Sequence, residues 1–312
     1  MISNIIASIF RLSFLQTMIR LGIPILLAAT SSYIATLSGI GNIAVEGIMS
    51  ITALCGVLGS YIFQNAWAGL LFGLFIGIIV ACGIAFFSMK LGASSSLVGI
   101  ALNTFADSIT VFILYIVTGD KGTTAALKTP TIGNLDIPII KDIPILGDIL
   151  SGYYALAYIA ILACLIFYII IYKTPFGMRM RACGLNPEAS RTAGIDVNKM
   201  RVISLIISGF FAALGGVYLS LCYAKLFSKG MVSGQGWMGI AADGIANGNY
   251  LVLILATVAF SVFRSLSISF MTTDFPSELT NTIPYIAVFI GIVLYSVLTH
   301  YRTKKGKVEK NS

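Results

Sequence analysis

Eight stretches of this chain, roughly 21–38, 48–64, 67–88, 96–117, 153–172, 202–224, 250–270 and 282–299, are apolar almost throughout. Each is close to the ~20 residues that an α-helix needs to cross a bilayer core. A water-soluble domain of 312 residues has no interior for so much apolar chain, and only 10% of the residues are charged, against about a quarter in soluble domains. The runs lack the alternation of barrel strands, so helices must satisfy the backbone in lipid. The sequence therefore predicts an all-α, polytopic transmembrane helix bundle of about 8–10 spanning helices, some broken or re-entrant, as a single domain over 1–312. Residues 1–17 read as a short interfacial or partly embedded helix, and no cleavable signal peptide is expected.

The formal charge of +8 is unevenly placed: six of the 20 Lys and Arg fall in 173–201 and five in 301–312. Lys and Arg gather in cytoplasmic loops, so 173–201 and the tail are expected inside, and nucleic acid is not implied. The loop over about 118–152 carries three lysines against four aspartates and three prolines, which suits the outer face. Parity then poses a problem. Four runs precede the outer loop where a cytoplasmic N-terminus allows three, so one is re-entrant or the N-terminal segment itself crosses. Three strong runs lie between the two inside segments, and the weak stretch 230–249 supplies the missing crossing.

Enzyme chemistry finds no support. There is no GxxxxGK[ST], GxSxG or HExxH, and GQGWMG at 234–239 lacks the flanking strand and acidic residue of a dinucleotide site. Cys55, Cys82, Cys164, Cys183 and Cys222 form no CxxC pair and His300 is the single histidine, so neither disulfides nor a metal centre is expected.

Ionisable groups at bilayer depth are costly and mark function or helix pairing. The candidates are Glu46, Asp107, Asp243 and Arg264, with Asn103 one turn before Asp107 on the same helix face. Glu46 follows Asn42 in a Gly-rich break, SGIGNIAVEG, and is expected to bond free N–H groups at a helix start. A second break, SGQGWMGIAADG at 233–244, has a similar pattern: Ser-Gly-x-Gly, then an acid followed by Gly. Paired interruptions of this kind point to an internal repeat lining a translocation path; chance matching of Gly-rich breaks is the alternative. Asn42, Glu46, Asn103, Asp107, Gln235, Trp237 and Asp243 are the path candidates, with helix–helix hydrogen bonding as the competing role. Gly69, Gly73 and Gly77 repeat every fourth residue and predict close helix packing.

Between two apolar runs lies TPFGMRMRACGLNPEASRTAGI, residues 174–195. Asn186 suits a helix N-cap, Pro187 the first helical position, Glu188 the positive end and Gly194 a left-handed stop. The segment reads as a small bounded helix on the inner face, in a loop far longer than a helix–helix connection needs. A docking element for a cytoplasmic partner is favoured over a basic loop at the lipid headgroups.

This stretch resembles the cytoplasmic loop of ABC importer permeases of the ribose/nucleoside/branched-chain amino acid class, T-x-x-G-x-x-x-R-A-x-G-x-N-x-x-A-A-x-x-x-G-I, matching at Thr174, Gly177, Arg181, Ala182, Gly184, Asn186, Ala189, Gly194 and Ile195. SGIGNIAVEGIM, ISGFFAALGG and GQGWMGIAADG resemble three further motifs of the class. Within it the pattern is most similar to nucleoside permeases that work with basic-membrane-protein-like lipoproteins. The chain departs at Thr36-Leu37, where an acidic–basic pair is usual, and at Gly244–Asn249, where L-G-x-x-x-P is usual.

The resemblance implies a type II ABC importer-like permease in the cytoplasmic membrane. It implies a cytoplasmic ABC ATPase docked through Thr174, Gly177, Arg181, Gly184, Asn186, Pro187, Ala189 and Gly194, with ATP and Mg used by that partner and no cofactor in this chain. It also implies an extracytoplasmic solute-binding lipoprotein and a second permease subunit, either a second copy or a paralogous chain. A nucleoside or related small polar solute is the expected cargo; ribose or another simple sugar, or an ion-gradient-driven transporter using Glu46 and Asp107, are the alternatives.

Overall fold

The computed structural model describes residues 12–135, 151–271 and 286. The helices are α1 Leu12–Leu37, α2 Val45–Phe63, α3 Ala66–Ala85, α4 Ser95–Thr118, α5 Ala155–Lys173, α6 Pro175–Leu185, α7 Pro187–Thr192, α8 Val197–Val217, α9 Gln235–Ala246 and α10 Tyr250–Met271. Wide π-helical turns extend α3 over Phe86–Lys90 and α8 over Tyr218–Tyr223. Seven helices among the described residues are long and apolar enough to cross a membrane. The run at 282–299, the tail and most of the 118–152 loop lie outside the described residues.

Residues 12–17 are not a separate interfacial helix. They are the first turns of α1, which runs unbroken past Pro24 to Leu37. Proline's missing N–H leaves the Arg20 carbonyl without its intrahelical donor, and the Pro24 carbonyl itself lies beside Gly215 of α8.

The two ends of the bundle are marked by contacts. At one end the Arg20 guanidinium lies over the rings of Tyr153 and Tyr154, 5.8 and 5.6 Å from their centroids. Ser60 donates to Pro130 O at 2.6 Å, and Asn134–Leu135 pairs antiparallel with Tyr153–Tyr154. At the other end Gly184 of α6 packs against the carbonyl of Leu37. α1 to α4 therefore alternate between the loop end and the α6–α7 end, with α1 starting at the loop end. All four early runs cross. What is broken is the passage between α1 and α2.

The second half settles its parity through α9. The chain leaves α8 at the loop end, where Thr123 bridges Ser228. α9 then carries it back, since Tyr33 Oη donates to Gly248 O at 2.8 Å near the α6 end. The weak stretch 230–249 does supply the missing return, with only 12 helical residues.

Packing follows from the small residues. Cβ atoms added to Gly69, Gly73 and Gly77 would run into Gly56 and Ser60, Val217, and Ala213 respectively. The four-residue glycine repeat thus lets α3 lie in the groove between α2 and α8, within one chain. The largest apolar cluster fills the space among α1, α5, α8, α9 and α10, with Tyr33, Phe167, Phe211 and Tyr250 interleaved. All five cysteines are free; Cys164, Cys183 and Cys222 are buried.

Candidate functional site

After Leu37 the chain turns at Gly39, which has a positive φ of 79°, and climbs back into the bundle as a non-helical strip, residues 38–44. Its polar groups are met by α8. Ser38 Oγ lies 2.6 Å from Ser204 Oγ, and Asn42 Nδ2 donates to Ser208 Oγ at 2.8 Å. Asn42 Oδ1 accepts from the Ala44 amide, and Asn103 brackets the strip from α4, donating to Ile43 O at 2.9 Å and accepting from Gly47 N at 2.8 Å. Irregular backbone at this depth survives only where protein satisfies it. α2 therefore begins inside the bundle.

α9 begins beside it and runs the other way. Gly239 packs on Ala28, and Asp243 Oδ2 accepts from Ser32 Oγ and Thr36 Oγ1, each at 2.8 Å. α9 thus runs parallel to α1 toward the α6 end, while α2 runs toward the loop end. At their shared start Glu46 Oε1 accepts from Gly234 N at 2.8 Å and Oε2 from Gly236 N at 2.7 Å. A carboxylate so placed neutralises the positive ends of two helix dipoles, its own and that of α9. Ser233 and Gly234 both adopt positive φ, 51° and 78°, which aims successive amides at one point. A Cβ on Gly236 would fall 2.7 Å from Glu46 Cα, so this position admits glycine alone. The helix start that Glu46 bonds is that of α9, 188 residues along the chain.

A pocket of about 340 Å³ opens at this junction, lined by Glu46, Asn103, Thr104, Asp107, Gly234 and Trp237. Four of the seven path candidates meet there. Asn42 is spent on the strip. Gln235 is buried at the start of α9, and its Oε1 has no partner among the described residues. Asp243 belongs to a second pocket of about 380 Å³ at the α6 end, with Tyr33, Thr36, Arg181 and Asn247. The two departures from the class pattern, Thr36-Leu37 and the stretch near Asn247, therefore meet in space. Thr36 is one of the two hydroxyls that hold Asp243. Arg264 is on α10, within electrostatic range of Tyr223, away from both pockets.

Residues 174–195 fold as two short helices. Thr174 caps α6, its Oγ1 accepting from Gly177 N, with Pro175 first in the helix. Gly177 packs directly on the Ile171 backbone. Asn186 ends α6 and caps α7, accepting from Ala189 N at 3.0 Å, and Pro187 is the first residue of α7. Gly194 closes the unit with a φ of 79°, and Asp196 caps α8. Arg181 lies 5.1 Å from the Tyr172 ring, joining the unit to α5. The tip is exposed: Leu185 is 88% accessible, and Asn186, Glu188, Ala189 and Arg191 face outward with it. The hydroxyl contacts of Tyr33 and Tyr172 with each other and with the Gly248 carbonyl were not foreseeable, because tyrosines in apolar runs carry no local mark of their partners.

Comparison with known proteins agrees with this architecture. The chain is 32% identical over 280 residues to the guanosine ABC transporter permease protein NupQ of Bacillus subtilis, covering 86% of this chain and 87% of that one. It is 27% identical over 283 residues to the nucleoside ABC transporter permease protein NupC of Lactococcus lactis, covering 87% and 88%. Its fold matches a chain of a protein described as a metal-chelate type ABC transporter in an inward-facing conformation, with a TM-score of 0.51, 16% identity and coverage of 94% and 86%. The family model for the branched-chain amino acid transport system permease component matches residues 14–298, and the chain belongs to that family as a multi-pass membrane permease.

Proposed function

We propose that this chain is the membrane-spanning subunit of an ATP-driven importer that moves nucleosides across the cytoplasmic membrane. The observation that carries the reading is the junction of two oppositely directed helices at Glu46, the full-length α2 and the short α9, with a polar pocket opening between α2, α4 and α9. Two relatives named for guanosine and nucleoside transport support the choice of solute. The α6–α7 unit lies in the cytoplasm, and its exposed tip at Leu185, Asn186 and Ala189 receives an ATPase chain that holds ATP and Mg. The opposite end receives a solute-binding lipoprotein. A second permease subunit covers α4, whose buried residues are only Gly99, Ala106, Thr110 and Leu114 and whose polar stripe would otherwise face lipid.

An ion-driven mechanism through Glu46 is disfavoured by geometry, since both carboxylate oxygens are engaged by backbone amides. The test is reconstitution of the permease pair, ATPase and binding protein in liposomes with labelled nucleosides. Uptake that requires ATP and persists when ion gradients are collapsed is expected. Uptake lost with the gradient at normal ATP, or uptake of simple sugars in place of nucleosides, refutes the proposal.

A further inference from the structure

The junction pocket sorts its polar groups into those already engaged and those still free. Glu46 is held by two amides, and Asn103 has both ends of its amide bonded to backbone. Thr104 Oγ1 donates to Ile100 O at 3.2 Å and keeps its acceptor capacity. Asp107 is exposed, and its carboxylate has no hydrogen-bond partner among the described residues. Trp237 leaves 43% of its surface open, and it sits at the start of α9, which Glu46 fixes in place. The pocket therefore offers a ligand one part-exposed aromatic side chain and one carboxylate that no hydrogen bond engages among the described residues.

No Lys or Arg is among the residues lining it. The positive end of α9, otherwise attractive to an anion, is already taken by Glu46. An anionic ligand would meet Asp107 with nothing to offset the repulsion. A neutral ligand with a flat π-face and hydroxyl donors meets both free groups: stacking on indole tolerates every base, and a carboxylate accepts from vicinal hydroxyls. The volume falls within the range of small-molecule sites.

Building on the nucleoside reading above, we propose that this pocket is a recognition step on the path, where Trp237 stacks the base and Asp107 accepts from the ribose hydroxyls. The same carboxylate restricts passage to unphosphorylated nucleosides. Asp107 and Trp237 are then the specificity-determining residues, and Glu46 positions Trp237.

The chain has two tryptophans, so Trp67→Phe leaves Trp237 as the single reporter; Trp67 lies on the exposed start of α3. In purified Trp67→Phe permease, adenosine, inosine and cytidine should quench the fluorescence saturably, and the corresponding monophosphates at least tenfold more weakly. Asp107→Asn should bring nucleoside and monophosphate within about threefold. In the reconstituted importer, Trp237→Ala should lower uptake of all nucleosides about tenfold, while Trp237→Phe keeps at least half. Quenching by tetramethylammonium but not by nucleosides would assign the pocket to organic cations and overturn the proposal. Unquenched Trp237 with normal uptake by Trp237→Ala, in an importer that does move nucleosides, would overturn it and leave the import reading intact. No nucleoside uptake by the wild-type importer would overturn both.

Discussion

Removing the Glu46 carboxylate should loosen α9 at its start, with at most a small effect on the first turn of α2. The side chain accepts two backbone N–H groups, at 2.8 and 2.7 Å. A hydrogen bond to a charged group contributes about 1.5–3 kcal/mol, so Glu46→Ala forfeits about 3–6 kcal/mol of local stability. Since each 1.4 kcal/mol is a factor of ten, the Gly234 and Gly236 amides should exchange with solvent about 10²–10⁴-fold faster. Glu46→Gln keeps one acceptor and sets an NH₂ group against the other amide, so its effect should be about the square root of that, 10–100-fold. Hydrogen exchange on the permease in lipid nanodiscs, resolved over 233–239, reads both. Asp107→Asn is the control and should leave exchange there unchanged. Equal exchange in wild type and Glu46→Ala would refute the fastening role. So would acceleration spread evenly over α3 and α8, because Glu46 touches only the start of α9 and the first turn of its own helix α2.

Two further outcomes follow from the fold. Asn186→Ala removes the cap of α7 and should cost that helix about 1 kcal/mol; co-purification of the ATPase and nucleoside uptake should both fall, with normal permease yield. Gly77→Val forces a side chain onto Ala213 and Thr52, an overpacking cost of about 1–3 kcal/mol, and should lower the melting temperature in detergent, whereas Gly83→Ala, which meets no neighbour within 4 Å, should leave it unchanged.

Much of this architecture was legible because it is written locally. Apolar runs marked the spans, and Asn186, Pro187 and Gly194 marked α7, since caps are set by residues a few positions apart. The two Gly-rich breaks also announced themselves by composition. What they do with one another did not. Glu46 bonds amides near residue 235, and Asn103 brackets a strip near residue 43; such pairings depend on how helices stack, which no spacing in one segment encodes. The length of α1 was misjudged for a related reason. Residues 12–17, LSFLQT, are too few to read as a span alone, yet the rest of α1 carries them as a continuation of the same helix. The free carboxylate of Asp107 could be separated from the engaged ones only once every partner had a position.

The shortness of α9 bears on how the protein is made. Its 12 residues reach about 18 Å, well under the ~30 Å of a hydrocarbon core. No insertion machinery would recognise such a segment as a stop on its own. It stays at depth because α1 and the Glu46 carboxylate are waiting when it leaves the ribosome, more than 170 residues after α2 is complete. Biogenesis of this chain therefore includes an assembly step: the earlier helices form the solvent into which this short piece dissolves, and Glu46 fastens its start once it has arrived.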